Sequence, residues 1–398
     1  MTFEAPVLPS GTRSAAPADA RPARWRTSLR FALLGVALLA YTLLFAEAFI
    51  RLFDPQAVMP RYITGTPWGV RGNIPHADYW HHTPEVDVEY RINGQGLRAD
   101  RDYPLAKPPG VCRIAVFGDS FLFGLEADLK DTFAAALEAR LRAKGIPVEA
   151  LNFAVGGFGT AEMLQTYEQY GSRFDPDVVI FSWDISDLND NVRSNLFRLK
   201  DGRLERAQAA YLPAVGFQDM LMRHAAYRFI SDHSQLYTFI RERISTFAKK
   251  RLVKSQGERL EEADAEGAGA GAAVDIDELQ HKNKIDLSAA ILMRAHDEVV
   301  ASGREFYLVD IPARVSRVRF SSPIELLPAA IRSQIDVVQP YPALARAARP
   351  DLKLYYEHGL GHFTPAGMAI LVDQTARALA TSPRLLACGN KAAEVKDN

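Results

Sequence analysis

The segment that most constrains the fold is Val111–Gly124, where a Gly-Asp-Ser turn cuts off a short apolar run. The apolar residues from Ile114 to Phe117 predict a buried strand, and a helical pattern begins near Asp131. A strand, a tight turn and a helix in succession place the hydroxyl of Ser120 at the carboxyl edge of a parallel sheet, where open α/β folds bind ligands. Backbone N–H groups at such a turn stabilise negative charge. Ser120 is therefore a candidate nucleophile.

Two later blocks supply the other groups that a serine nucleophile needs. Leu151–Thr160 is an apolar segment that breaks into glycines ahead of a helix. Tyr355–Gly367 carries His362 just before the last helix, whose start is marked by Thr364 and Pro365. A hydroxyl needs a base to take its proton and donors for the oxyanion that forms. The histidine and the glycine-rich loop are candidates for these two roles.

In the order of these blocks and in the residues they contain, the chain resembles the SGNH, or GDSL-type, hydrolases. The resemblance extends from about residue 93 to about residue 379, and it includes the lead-in phrases Arg91–Arg98 and Phe121–Gly124. It is closest to the bacterial subgroup with an N-terminal membrane anchor. It implies a three-layer α/β/α, flavodoxin-like SGNH fold with a central parallel sheet, in which Gly118 and Asp119 support the nucleophile.

The resemblance also implies a role for each candidate residue. Ser120 is the expected nucleophile and His362 the expected general base, with His358 as its nearest rival. The backbone N–H groups of Ser120 and Gly157 fit the oxyanion hole by position, and Gly156 lies one register away.

The family's third block departs from its usual pattern in this chain. Ser186-Asp187 stands where the family has Asn-Asp after an apolar strand, and Asn189-Asp190 fits only if the turn is three residues longer. Ser186 and Asn189 are therefore both candidates for the oxyanion hole. The loss of one oxyanion donor costs on the order of 10²- to 10³-fold in rate.

The family's aspartate before the histidine is absent as well, because Gly and Leu occupy positions 359 and 360. Glu357, five residues before His362, is the nearest carboxylate, and we expect it to orient the imidazole. Asp187, Asp190 and a backbone carbonyl are the alternatives.

The N-terminus predicts a membrane segment. Arginines crowd the first 30 residues, and the run from Phe31 to Ala46 carries no charge. A helix over residues 31–53 is roughly 34 Å long, enough to span a bilayer. The basic side predicts a cytoplasmic N-terminus and a domain that faces the periplasm or cell exterior across a bacterial inner membrane. The alternative is a signal peptide cleaved at Ala46-Glu47-Ala48.

Composition excludes several other classes. The net charge of −1 gives no electrostatic reason to expect a nucleic-acid partner. No residue spacing predicts a metal site or a cofactor, and the adjacent pair His81-His82 is expected to be solvated. Cys112 and Cys388 lie far apart in sequence; a disulfide between them is the alternative, and we expect two unpaired thiols.

Alternating strand and helix patterns after residue 106 predict βαβ units and one parallel sheet, with a short strand near residues 352–355 and a closing helix over residues 365–379. Residues 195–252 are expected to be helical, and the Glu/Ala/Gly-rich segment Gly257–Ala273 is expected to be a flexible exposed loop. The predicted organisation is a basic tail (1–30), an anchor (31–53), an irregular lead-in (54–105), a hydrolase-like domain (106–385) with an insertion at about 195–280, and a tail (386–398).

Two functions are consistent with these features. The first is a membrane-anchored, extracytoplasmic esterase or O-acyltransferase that acts on ester groups, such as acetyl groups, of an envelope or exported polysaccharide, with Trp68, Tyr79 and Trp80 as aromatic side chains that stack on sugars or simply pack. The second is a catalytically weakened domain that binds glycan or a protein partner. The displaced third block and the missing aspartate favour the second function, and the serine and histidine blocks favour the first.

Overall fold

The computed structural model describes residues 22–265, 276–358 and 360–388. The chain separates into two compact units, Met1–Asp54 and Pro55–Asn398. The described part of the first unit is one helix, α1 (Pro22–Phe53). Within it, Trp25–Phe53 contains an 18-residue stretch with a mean hydropathy of 2.1 and is long and apolar enough to cross a membrane, by length and composition. A signal sequence has the same properties.

The second unit alternates strands and helices. Its strands are β1 (Ile63–Gly65), β2 (Arg71–Asn73), β3 (Asp78–His82), β4 (Asp87–Arg91), β5 (Cys112–Phe117), β6 (Val148–Asn152), β7 (Val178–Trp183), β8 (Phe197–Lys200), β9 (Arg203–Arg206), β10 (Glu305–Asp310), β11 (Ala313–Arg314), β12 (Phe320–Ser321) and β13 (Asp336–Val338). Its α-helices are α2 (Ser120–Phe123), α3 (Phe133–Arg142), α4 (Thr160–Gln169), α5 (Asp187–Ser194), α6 (Val215–Met222), α7 (Ala225–His233), α8 (Gln235–Ala265), α9 (Ile276–Ala301), α10 (Ala329–Arg332), α11 (Tyr341–Ala347) and α12 (Pro365–Leu379).

Five of these strands form the central sheet, in the order β13-β10-β7-β5-β6, and every neighbouring pair is parallel. Ile114 of β5 pairs with Ala150 of β6 on one side and with Val178 of β7 on the other. All six residues of β5 are buried, as is usual for a strand covered on both faces. The α/β class with a parallel sheet is confirmed.

The alternation of side chains along β5 creates two cores. Ile114 and Val116 pack into one apolar cluster with residues of α3 and α12. Ala115 and Phe117 pack into the other with residues of α4 and α9. Two helical layers therefore enclose the sheet. Its carboxyl edge collects the segments that follow β5, β6 and β7, because parallel strands end on the same side.

Several element predictions need correction. Residues 197–206 form an antiparallel hairpin of β8 and β9 rather than a helix, and the helical part of the insertion starts at Val215. The segment from Gly257 is helical as far as Ala265; the rest of the predicted loop lies mostly outside the described residues. The edge strand β13 was not predicted. The expected strand near residues 352–355 consists only of isolated bridges.

The expectation of two free thiols is wrong, because Cys112 and Cys388 form a disulfide with their Cα atoms 5.8 Å apart. Cys112 lies fully buried in β5, so the bond ties the C-terminal end of the described chain to the central sheet. A cross-link between residues 276 positions apart restricts the unfolded chain strongly.

Replacement of both cysteines by serine should therefore lower the free energy of unfolding by about 2–4 kcal/mol. Urea unfolding of the variant and of the oxidised wild type measures this difference. Two reactive thiols in the denatured, unreduced wild-type protein would contradict the disulfide.

Candidate active site

Ser120 opens the one-turn helix α2 directly after β5. The carboxylate of Asp119 accepts a hydrogen bond from the N–H of Phe121 at 2.9 Å and so caps this turn. A Cβ at position 118 would lie 2.7 Å from Cβ of Leu122 and 2.8 Å from Oγ of Ser182, so only glycine fits there. These contacts explain the Gly-Asp-Ser sequence as the geometry of a sharp strand-to-helix turn.

His362 reaches the serine from the other end of the chain. Its Nε2 lies 2.8 Å from Oγ of Ser120, which is inside the range of 2.6–3.2 Å expected for a base and its nucleophile. The carbonyl of His362 accepts a hydrogen bond from the N–H of Tyr356 at 2.9 Å. The ring of Phe121 covers the imidazole with centroids 4.9 Å apart. The histidine is thus buried and held from several sides.

The other imidazole nitrogen contacts Glu126, a residue that we did not predict for the site. Nδ1 of His362 lies 3.2 Å from Oε2 of Glu126. The same carboxylate accepts hydrogen bonds from the backbone N–H groups of Leu360 at 2.8 Å and His362 at 3.1 Å. Burial alone would raise the pKa of Glu126, but the hydrogen bonds from the ring and from the two N–H groups lower it below its usual range. Glu126 is therefore a buried carboxylate that favours its charged form.

The expectation that Glu357 orients the histidine is wrong. Its carboxylate pairs instead with Nε of Arg317 at 3.2 Å, and its backbone N–H donates to Glu85 at 2.6 Å. The physical reason is that the His loop turns its backbone N–H groups towards Glu126 and Glu85. The side chain of Glu357 is left to pair with the arginine.

The backbone around Glu126 explains how its carboxylate reaches the site. Gly124 ends α2 in the left-handed region at φ 83°, and Glu126 itself has φ 65°. The chain therefore reverses within six residues of Ser120 and directs a carboxylate back to the serine's side of the sheet. A fully buried glutamate with a positive φ is an unusual combination that indicates a tertiary partner.

The glycine-rich loop after β6 lies beside the serine. Gly157 has φ 78°, and its carbonyl accepts hydrogen bonds from Nη2 of Arg71 at 2.6 Å and Nη2 of Arg193 at 3.2 Å. The N–H groups of Gly157 and Ser120 make no backbone hydrogen bond within the described ranges. Two guanidinium groups thus fix the loop while its N–H groups remain available, as an oxyanion hole requires.

Tyr62 comes close to the same loop from the lead-in segment. A Cβ on Gly156 would collide with the Tyr62 hydroxyl and would lie 4.0 Å from Cβ of Ser120. The phenol hydroxyl therefore stands near the nucleophile, on the side of the glycine loop. Burial raises the pKa of Tyr62 to about 12, so the hydroxyl keeps its proton at neutral pH and can donate it in a hydrogen bond.

The two oxyanion-hole candidates after β7, Ser186 and Asn189, lie in different surroundings. Ser186 occupies the N-cap position of α5, and its backbone N–H donates to Oδ1 of Asp184 at 2.8 Å. Asn189 is exposed, and its Oδ1 accepts a hydrogen bond from Nζ of Lys284 at 3.1 Å. The use of Asn189 as an oxyanion donor required the turn after β7 to be three residues longer. Because α5 already begins at Asp187, the turn is not longer, and Asn189 lies within the helix, away from Ser120. Ser186 remains at the carboxyl edge of β7.

Neither alternative aspartate serves His362. Asp187 accepts hydrogen bonds from the N–H groups of Thr160 at 2.8 Å and Asp184 at 2.7 Å, and so connects α4 to the end of β7. Asp190 pairs with Arg193. Burial raises the pKa of Asp119, Asp184 and Asp187.

The remaining sequence candidates lie apart from this array. His358 is exposed. His81 is fully buried rather than solvated, whereas His82 pairs with Asp87 at the surface at 2.8 Å. Of the three aromatic candidates for sugar stacking, Trp80 is exposed, and Trp68 stacks on Tyr170. Tyr79 packs inside the lead-in segment, between the rings of Tyr62 and Tyr90.

Comparison with solved structures finds similarity to ester hydrolases. TesA matches at 14% identity with a TM-score of 0.35, over 68% of this chain and 99% of that chain. The acetylxylan esterase Axe2 from Geobacillus stearothermophilus matches at 11% identity with a TM-score of 0.37, over 68% and 94%. A GDSL-like lipase from Bacteroides thetaiotaomicron matches at 12% identity with a TM-score of 0.33, over 68% and 88%. No family model and no curated protein matches the chain.

The contacts of the two glutamates generate a paired prediction. Glu126→Gln should slow the reaction of Ser120 with a small acetyl ester or a phosphonate by about 10²- to 10⁴-fold, because an amide neither stabilises the imidazolium nor fixes its tautomer. Glu357→Gln should react at nearly the wild-type rate. The pseudo-first-order rate of Ser120 modification, measured with circular dichroism as a control for folding, compares the two variants. A slow Glu357→Gln variant beside a normal Glu126→Gln variant would contradict the assignment.

Proposed function

We propose that this protein is a serine esterase or O-acyltransferase with Ser120 as nucleophile, His362 as general base and Glu126 as the carboxylate that orients the histidine. The single observation that carries the proposal is the continuous array from Ser120 Oγ to His362 Nε2 at 2.8 Å and from His362 Nδ1 to Glu126 at 3.2 Å. A buried carboxylate, an imidazole and a hydroxyl in this order are the groups that acyl transfer requires.

The reaction follows from these contacts. His362 Nε2 takes the proton of Ser120 while Oγ attacks the ester carbonyl carbon, and Glu126 stabilises the imidazolium that forms. The tetrahedral intermediate collapses, the bond to the alcohol oxygen breaks, and that oxygen takes the proton from His362. The acyl group is now on Ser120. Water or a second hydroxyl then attacks it by the same steps in reverse, which gives hydrolysis or transfer.

The oxyanion is held by donors from three segments. The N–H groups of Ser120 and Gly157 supply two of them, and the Tyr62 hydroxyl supplies a third that compensates for the family's missing asparagine. Support for this role is the close approach of the hydroxyl to Gly156, a residue that also neighbours Ser120, and its retained proton. In this proposal Ser186 occupies the position of that asparagine at the edge of the site.

The proposed substrate is an acylated, for example acetylated, carbohydrate of the envelope or of an exported polysaccharide. The proposed location is a bacterial inner membrane, crossed once by residues 31–53, with the site on the periplasmic or external side. The apolar helix supports this location, and so does the Cys112–Cys388 disulfide, because disulfides persist in oxidising compartments. In this proposal no cofactor takes part in the reaction.

A second candidate function is a domain that binds glycan or a partner without turnover, and the observation that favours it is Ser186 in place of the family's asparagine. The two candidates differ in the reactivity of Ser120, which an electrophilic probe measures directly.

A fluorophosphonate probe should label the full-length wild-type protein on Ser120, and the Ser120→Ala variant should remain unlabelled. The reason is that only a serine with its base in place attacks phosphorus at a useful rate. Gel fluorescence and peptide mass spectrometry detect the adduct. Labelling no faster than that of heat-denatured protein would reject the enzymatic function and favour the binding function.

Tyr62→Phe should lower kcat for a small acetyl ester by about 10- to 10³-fold with little change in KM, because an oxyanion donor acts in the transition state. Tyr79→Phe is the matched control. Tyr79 stacks on Tyr62 with centroids 5.8 Å apart, and its own hydroxyl is buried with no partner in the described part of the chain. Equal losses of kcat in the two variants would show a packing role for Tyr62 instead.

A further inference from the structure

The helical insertion carries an unusual surface, which we call the basic apolar face. It comprises the exposed side chains of α6, α7 and the part of α8 up to residue 254. Its large apolar members are Phe217, Met220, Phe229, Ile230, Ile240, Ile244, Phe247 and Leu252. Phe217, Phe229, Ile244 and Phe247 are each more than 60% exposed. Clustered exposure of this kind marks a surface that binds another phase or another molecule.

Three exposed apolar residues of α8 share one side of the helix. Ile240, Ile244 and Phe247 are spaced by four and three positions, which places them on one stripe. Thr238 is buried near the start of α8, which packs against α5 and α9. From Glu242 to Leu252 every residue except Ser245 is exposed, so the stripe lies on a stretch of α8 that the rest of the described structure leaves accessible.

Positive charge surrounds these apolar residues. The cations between residues 215 and 256 are Arg223, Arg228, Arg241, Arg243, Lys249, Lys250, Arg251 and Lys254, and the carboxylates are Asp219, Asp232 and Glu242. The whole chain has a net charge of −1, so this excess of positive charge is local. Cations beside exposed aromatic and aliphatic side chains are the composition of helices that lie in the interface of anionic membranes.

Chain connectivity limits how far the start of α8 can lie from the end of the N-terminal apolar segment. The backbone N–H of Gln56 donates to Oε1 of Gln235, the first residue of α8, at 3.1 Å. Gln56 follows Phe53, the last residue of the apolar segment, by three positions. Three residues of chain extend at most about 10 Å. A bilayer anchored through residues 31–53 is therefore within reach of the start of α8.

We propose that the basic apolar face binds the surface of the anionic bilayer in which the protein is anchored, with its apolar side chains among the acyl chains and its cations at the phosphates. This inference rests on the membrane anchor of the proposed function. It deepens that function, because the face would hold the catalytic unit against the membrane rather than leave it on a flexible tether. The occupant is a lipid surface, since scattered cations around a convex apolar stripe suit a mobile layer of phosphates.

The test uses the full-length protein in liposomes that contain a photoactivatable phosphatidylglycerol or, in parallel, a photoactivatable phosphatidylcholine. Peptide mass spectrometry then locates the cross-links. We expect adducts in residues 31–53 with both lipids. We expect adducts in residues 240–254 that are several-fold stronger with phosphatidylglycerol and that fall in 0.5 M salt, because salt screens surface charge.

A pair of variants locates the contact. Ile244→Glu combined with Phe247→Glu should reduce the adducts in α8 at least several-fold and leave those in residues 31–53 unchanged. Val300→Glu, at a position of α9 that is 48% exposed, is the matched control and should change neither.

Three results would overturn the proposal. Adducts confined to residues 31–53 would leave the anchor intact and show that the face has another occupant, such as a protein. Equal labelling by the two lipids would show that the cations of the face do not select an anionic surface. Absence of adducts from both regions would reject the anchor together with the proposal. None of these results depends on esterase activity, so the membrane-binding proposal can fail while the proposed active site stands, and the reverse.

Discussion

The candidate active site depends on one buried carboxylate that joins two distant parts of the chain. Glu126 follows the Gly-Asp-Ser turn, and its oxygens accept three hydrogen bonds from the histidine loop. A buried carboxylate without donors is costly, so these bonds must form together if the residue is to remain charged. The same bonds set the position of the His362 ring. The contact that stabilises the folded loop is therefore also the contact that orients the imidazole towards Ser120.

The segment before the α/β unit supports this arrangement from the other side. The Tyr90 hydroxyl accepts the backbone N–H of Glu126 at 2.9 Å. Arg98 is fully buried and donates to the carbonyls of Phe123, Gly124 and Ala127, while its guanidinium lies over the Tyr90 ring at 4.1 Å. The lead-in residues thus shape the turn that carries Ser120 and Glu126. A segment that looks irregular in sequence is a structural part of the site.

Sequence periodicity and order were sufficient to predict the core and the approach of His362 to Ser120. The fully buried run of β5 and the turn at Gly118 predict the sheet edge, and the position of His362 before α12 predicts its approach to Ser120. The bounds of α12 agree with the prediction as well. These features are local, or they follow from the rule that parallel strands share one carboxyl edge.

The features that were missed are set by tertiary contacts. Glu357 is the carboxylate nearest to His362 in sequence, whereas Glu126 lies 236 positions before it, and only the course of the histidine loop brings the imidazole to Glu126. The disulfide depends on the C-terminal residues packing beside β5, 276 positions away. The β8–β9 hairpin replaces a predicted helix because pairing between its strands overrides a weak local pattern.

The measurement that tests the central claim most directly is a crystal structure of the protein after reaction with a phosphonate ester. Our account predicts phosphorus bonded to Ser120 Oγ, with its charged oxygen within about 3 Å of the Gly157 N–H and the Tyr62 hydroxyl. It also predicts Glu126 still in contact with Nδ1 of His362. An adduct on another residue, or a modified Ser120 whose His362 is paired with Glu357 or with no carboxylate, would contradict it.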